Sequence, residues 1–219
     1  MKKIFIFLGF IGVTQVLKAQ AVVTYYDGTP ALEKKYTDVE GTELLYPDWI
    51  QGQVKTKDGK IFSGQRLKYN QLEDRFYFLS NTGVTMMFVT PVREVALGDS
   101  LSSNRRVFRN GFPAVSRFTP ETYFEVLVDG KSTLLKKNSK NLVETKDYNS
   151  PVTKKQIVNN EQYYLYNGTK VMLMKKDKTA ILEAFPEKAI GIEAYLSSKK
   201  PNLKKEDELV KMIEYINTL

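Results

Sequence analysis

The chain has 219 residues, 42% hydrophobic and 26% charged, which suits one sizeable globular domain or a domain with a small appendage, and without a low-complexity tract disorder is not the default reading. It has no histidine and no cysteine, so Ser-His and Cys-His nucleophiles, Cys/His zinc sites and disulfide staples are all excluded. The formal charge of +8 falls to +5 once Lys2, Lys3 and Lys18 are set aside (30 basic against 25 acidic residues), a mild bias spread along the chain that reads as a solvated surface and argues against a nucleic-acid partner.

Residues 1–20 stand apart. Lys2 and Lys3 precede an apolar run from Ile4 to Val13 that extends to Leu17, and Lys18-Ala19-Gln20 ends it. A spanning helix needs about 20 apolar residues, so this run is too short. Its length and charge order predict a signal peptide over 1–19 cleaved near Ala19, and hence an exported protein, periplasmic or secreted. A buried N-terminal helix or an uncleaved anchor is the alternative. No second run of membrane length follows, so no transmembrane segment is expected after leader removal.

Residues 20–176 read as an antiparallel β-rich region. A strand is expected around Val22–Tyr26. Trp49–Thr56, Ile61–Asn70, Arg75–Ser80, Val84–Thr90 and Val92–Leu97 are β-rich runs with short separators. Arg105–Arg109, Tyr123–Val128, Ser132–Lys137, Gln162–Tyr166 and Thr169–Lys175 continue the pattern. Asp58-Gly59, Asp129-Gly130 and Asn167-Gly168 sit between runs, where tight hairpins need positive φ. Links this short make neighbours antiparallel.

Residues 177–219 change period. Ile181, Phe185, Ala189, Ile192 and Leu196 recur at helical spacing, with Pro186 dividing the stretch. Asn202 after Pro201 predicts an N-cap, and Leu209, Met212, Ile213 and Ile216 line one face of a last helix. The expected fold class is α+β, mostly β: an antiparallel β meander, either a sandwich or a partly open barrel, followed by C-terminal α-helices packed on it.

Gly98-Asp99-Ser100-Leu101 resembles the nucleophile block of GDSL esterases. That serine needs a histidine base, and the chain has none; the family's later Gly-x-Asn-Asp block is also missing. The stretch also resembles the Asp-Ser/Thr-apolar sequon for O-glycosylation in Bacteroidota-type bacteria, which makes Ser100 a candidate modification site. Asn167-Gly168-Thr169 fits an N-glycosylation pattern but is already explained as a turn. Ser197-x-x-Lys200 matches a nucleophile pair without its partner motif.

No catalytic, cofactor-binding or metal residue is therefore assigned, and no cofactor is expected. Carboxylates are the remaining catalytic option; Glu73, Asp74, Glu94, Glu121, Glu125 and Glu144 lie in the β region. Tyr77, Tyr163, Tyr164 and Tyr166 are candidate contact aromatics for sugar rings, although such strands more often turn one face to the core.

Gly41-x-x-x-Leu45, Trp49-x-x-Gly52-x-Val54, Leu67-x-Tyr69-Asn70, Phe124-x-Val126-Leu127, Leu134-Leu135-Lys136-Lys137 and the ending LKKEDELVKMIEYINTL come in an order that resembles a loose group of exported Bacteroidota proteins of unknown function. The resemblance covers about 41–219 and implies compartment and fold, with no activity attached. The expected function is a non-catalytic, envelope-associated binding module for a protein or glycan; the alternative is a carboxylate-based enzyme acting on glycans.

Overall fold

The computed structural model describes residues 27–32, 36, 38–98, 104–146 and 153–219. The expected leader, its cleavage point at Ala19, the strand around Val22–Tyr26 and Ser100 lie outside these residues. Among the described residues the fold is α+β and mostly β: a twelve-stranded sheet that does not close, followed by three C-terminal α-helices.

The strands are β1 (Gly28–Pro30), β2 (Val39–Glu40), β3 (Ile50–Thr56), β4 (Ile61–Asn70), β5 (Arg75–Leu79) and β6 (Thr85–Phe88). They continue with β7 (Val92–Leu97), β8 (Arg106–Arg109), β9 (Phe124–Val128), β10 (Thr133–Lys146), β11 (Thr153–Tyr166) and β12 (Val171–Met174). Their spatial order is β1-β6-β5-β4-β3-β7-β8-β9-β10-β11-β12. Every pairing along that path is antiparallel, and β2 adds a short parallel pairing to β11. Asp58-Gly59 and Asn167-Gly168 turn two of the hairpins, with Gly59 at φ 88° and Gly168 at φ 89°, where a side chain would be strained.

The order forces a curl. β6 and β7 stand four positions apart, about 19 Å in a flat sheet at about 4.8 Å per step. Only Val89-Thr90-Pro91 link them, and the four steps from Phe88 to Val92 reach at most about 14 Å. The sheet from β6 to β7 must therefore roll up into a partly open barrel. A second contact says the same. Gln71, in the turn after β4, accepts from Lys140 N (3.3 Å) and donates to Asn138 O (3.2 Å), although β4 and β10 are five positions apart in the sheet.

Three apolar clusters fill the fold. Val54, Leu67, Tyr69, Phe76, Phe78, Val95 and Phe108 pack on the inner face of the rolled half. The register Phe108↔Glu125 and Glu125↔Lys136 carries that face onto β9 and β10, where Leu134, Tyr163, Leu165 and Met174 meet the helices. On the opposite face, Phe124, Leu135 and Tyr164 are covered by Phe112 and Phe118 from the loop after β8. β10 and β11 are thus covered on both faces over their first and last residues respectively, which is why Leu134-Leu135 and Tyr163-Tyr164-Leu165 are unbroken apolar runs.

α1 (Lys178–Ala184) is N-capped by Asp177, whose Oδ1 accepts from Ala180 N at 2.8 Å. A 3-10 turn, Pro186–Lys188, leads into α2 (Ala189–Lys199), which ends on left-handed Lys200 before Pro201. α3 (Glu206–Thr218) begins three residues later than its expected cap: Asn202 Oδ1 accepts from Lys204 N, and Lys205 is the capping residue without a side-chain bond. Three acids, Glu206, Asp207 and Glu208, occupy the first turn and complement the helix dipole. Leu209, Met212, Ile213 and Ile216 are fully buried, so this face docks on the sheet. Gly130 departs from its expected role as a positive-φ turn residue. Its space is taken by Asn217 of α3, which accepts from Ser132 N (2.8 Å) and donates to Ser132 O (2.9 Å).

Candidate binding cleft

A cleft of about 490 Å³ opens where the rolled half fails to close. The β6–β7 link gives it Val89, Thr90 and Pro91; Met87 and Phe88 come from β6, Arg75 and Phe76 from β5, and Thr29 from β1. Val92, Asn110 and Tyr123 form the other side, with Lys57, Asp74 and Glu121 completing the lining. The curl that the short link imposes therefore also positions the concavity.

A buried polar network lies against this cleft. Lys137, whose side chain is 3% exposed, donates to Asp74 Oδ1 (2.7 Å), Tyr69 Oη (3.1 Å) and Tyr123 O (2.9 Å). Tyr69 donates to the same carboxylate, and Asp74 Oδ2 accepts from Tyr123 N at 3.2 Å. Asn70 Oδ1 accepts from Leu72 N and Glu73 N, holding the turn that delivers Asp74 at φ 54°. Burial pulls the Lys137 ammonium below its usual pKa although Asp74 opposes this. Burial and then Asp74 push the Tyr69 hydroxyl well up. All three protons of the ammonium have acceptors, so the arrangement is a fastening between the β4–β5 turn and β10.

Asn110 is 4% exposed and follows β8. Its Nδ2 donates to Val92 O (2.9 Å), and Oδ1 has no hydrogen-bond partner. Flipping the amide would put carbonyl against carbonyl, so the orientation is set. A buried acceptor left unmet costs about 1–3 kcal/mol.

A second polar cluster lies on the inner face between the two apolar cores. Arg106 grips Glu125 with two bonds of 2.6 Å and reaches Tyr46 Oη at 3.1 Å. Burial lowers the Arg106 pKa, but the Glu125 bonds outweigh it and leave it raised. Lys136 bonds Glu206 of α3 (2.5 Å) and Glu161 of β11 (2.9 Å). Tyr163 Oη lies 2.7 Å from both of those carboxylates, and burial followed by the two acids raises its pKa. Burial raises Glu161, but bonds from Lys136 and Tyr163 bring it below the usual range.

The carboxylates named from sequence are spoken for. Glu73 accepts from Tyr77, Glu94 pairs with Arg109, Glu125 with Arg106, and Glu144 with Lys155. Among the described residues, the carboxyls whose pKa moves, in Asp58, Glu121 and Glu161, move down; for Glu121 the first cause is a bond from Thr119. A glycosidase acid moves up instead. Glu161 and Glu206, 45 positions apart in sequence, converge only through the docking of α3.

The candidate contact aromatics change role. Tyr77, Tyr163 and Tyr164 are buried, so their rings are closed to a ligand. Tyr163 and Tyr164 point to opposite faces of β11, but helices seal one face and the Phe112–Phe118 loop the other. Tyr77 lies opposite Lys68 and Met87 and donates to Glu73 at 2.8 Å. Tyr166 is half-buried beside Phe112 and donates to Gly168 O. Cleft residues such as Tyr123 and Phe88 carried no sequence signal beyond their strands. Asn110 is followed by Gly111, which adopts φ 81°.

Among the described residues, no cluster of three His, Cys, Asp or Glu could hold a metal ion, and no helix is long and apolar enough to cross a membrane. Compared with protein-family models, curated proteins and solved structures, the chain matches none.

Proposed function

We propose that this chain is an exported, envelope-associated binding module that performs no chemistry on its ligand, a protein or a glycan. One observation carries the reading: the concavity combines apolar side chains with a few polar groups, the ordinary make-up of a binding site, while the acids around it are paired or lowered in pKa. The leader-like residues 1–19 and the resemblance to exported Bacteroidota proteins support the compartment.

The test is crosslinking in the native host, with co-purification of the tagged chain and fractionation. A stoichiometric partner or retained glycan in the envelope fraction is expected. Turnover of a glycan by the purified chain, or residence in the cytoplasm with the leader intact, would overturn the reading.

A further inference from the structure

We infer that Asn167 is a site of self-modification: Gly168 N attacks its side-chain carbonyl carbon, and the amide nitrogen is lost as ammonia. The site lies outside the cleft and goes beyond the binding-module reading.

Asn-Gly occurs twice in the chain, at Asn110-Gly111 and Asn167-Gly168. The pair suits this reaction because glycine sets no side chain beside the attacking nitrogen. The fold treats the two pairs in opposite ways.

Asn167 and Gly168 are exposed in the β11–β12 turn, with Gly168 at φ 89° in its first central position. Asn167 Oδ1 accepts from Thr169 N (3.1 Å) and Lys170 N (3.0 Å). Those donors fix which way the amide points, hold the side chain over its own turn and draw electrons from its carbonyl carbon. Among the described residues, neither Nδ2, the leaving nitrogen, nor Gly168 N, the attacking one, has a hydrogen-bond partner. The space where a Gly168 Cβ would stand is open, so water reaches the turn. No hydrogen bond to either nitrogen has to break before the ring closes.

Asn110-Gly111 is locked instead. Asn110 is 4% exposed, its Nδ2 donates to Val92 O (2.9 Å), and Gly111 N donates to Pro120 O. Both nitrogens are engaged, so the same reaction there waits on local opening.

The step needs only water. Gly168 N gives its proton to solvent base and bonds to Asn167 Cγ; the Cγ–Nδ2 bond breaks, and Nδ2 takes a proton and departs as ammonia. Water then opens the cyclic imide at either carbonyl, leaving aspartate or isoaspartate at position 167 and a new negative charge. Isoaspartate carries the main chain through one extra carbon. The turn it enters closes on the bond from Asn167 N to Lys170 O (3.3 Å) and starts β12, whose Val171 and Met174 enter two apolar clusters. The modification therefore loosens the sheet at its β12 edge.

The test incubates the purified full chain in mildly alkaline buffer, folded or unfolded in guanidinium, and follows both Asn-Gly peptides by mass spectrometry that separates aspartate from isoaspartate. In the folded chain Asn167 is expected to convert at least about tenfold faster than Asn110, with isoaspartate among the products. In guanidinium the two rates converge, because local sequence alone then acts. Asn167 left intact in the folded chain while guanidinium releases it, or equal rates at the two sites in the folded chain, overturns the inference. Aspartate without isoaspartate overturns attack by Gly168 N.

Discussion

The two halves of the sheet handle their inner face differently. From β9 to β12 α3 lays Leu209, Met212, Ile213 and Ile216 over that face, beside a polar hollow lined by Arg106, Glu125, Lys136 and Glu206, and the opposite face is covered by the loop carrying Phe112 and Phe118. Among the described residues, no helix covers β3 to β7. The strands roll around their own apolar side chains, and the roll stops short, leaving the cleft. A helix covers the sheet it lies on, whereas a curled sheet covers itself only as far as its strands reach. The open half therefore carries the apolar-lined cleft, and the helix-covered half is the scaffold that holds it.

Lys137 joins the halves, and its removal is the largest way to break the comparison. Lys137→Ala leaves the part-buried Asp74 without its cation and Tyr69 Oη and Tyr123 O without their donor, and a loss of about 3–5 kcal/mol in urea unfolding is expected. A loss below about 1 kcal/mol would mean that the halves are not fastened there. Ile213→Ala tests the seal on the other side. It empties a fully buried position under α3 and should cost about 2–5 kcal/mol. Proteolysis of the variant should begin in the C-terminal helices while β3 to β7 stays protected.

Gly52 sharpens the account of the rolled half. A Cβ there would run into the Ala96 carbonyl oxygen of the adjacent strand, where β3 and β4 also slip register. Gly52→Ala should destabilise by about 1–3 kcal/mol, read from the chemical-denaturation midpoint.

Alkaline titration separates buried groups of opposite sign. Tyr69, Tyr163 and Tyr164 have raised pKa values, chiefly through burial, so the folded chain keeps protons that the unfolded chain releases above its value of 10.0. Their contribution is whole below about pH 10 and is lost as pH rises beyond it. Lys137 and Lys140 are lowered by burial; the folded chain sheds their protons first, so their contribution grows as pH approaches 10.5. Thermal midpoints should hold or rise up to about pH 10 and fall above it. In Lys137→Met the rise should shrink while the fall persists. The smallest effect belongs to the exposed pair Glu144–Lys155 at 3.4 Å; Glu144→Gln should stay within about 0.5 kcal/mol of wild type by the same unfolding assay.

Legibility in the sequence followed burial. β4 and β7 run over the residues their alternation predicts, Ile61–Asn70 and Val92–Leu97, because one face of each is core. β10 and β11 were legible only near Leu134 and Tyr164. Beyond them, Leu142–Lys146 and Thr153–Gln156 run paired with both faces in solvent, so no period-2 hydrophobic signal marks them. The α3 face was plain from its spacing, but its start was not: Asn202 has the right chemistry for a cap and spends it on the preceding turn. The cleft was not legible at all. Asn110, Asp74 and Phe88 meet only because a three-residue link forces the roll, and that depends on strand order, which local pattern does not carry.

The most direct test of the open half as the binding surface is photo-crosslinking in the native host. A benzoylphenylalanine is placed at Val89, on the cleft's exposed link, or at Leu173, exposed on β12 of the helix-covered half. The account predicts a discrete adduct from position 89 and none from position 173. An adduct from position 173 with position 89 silent would contradict it.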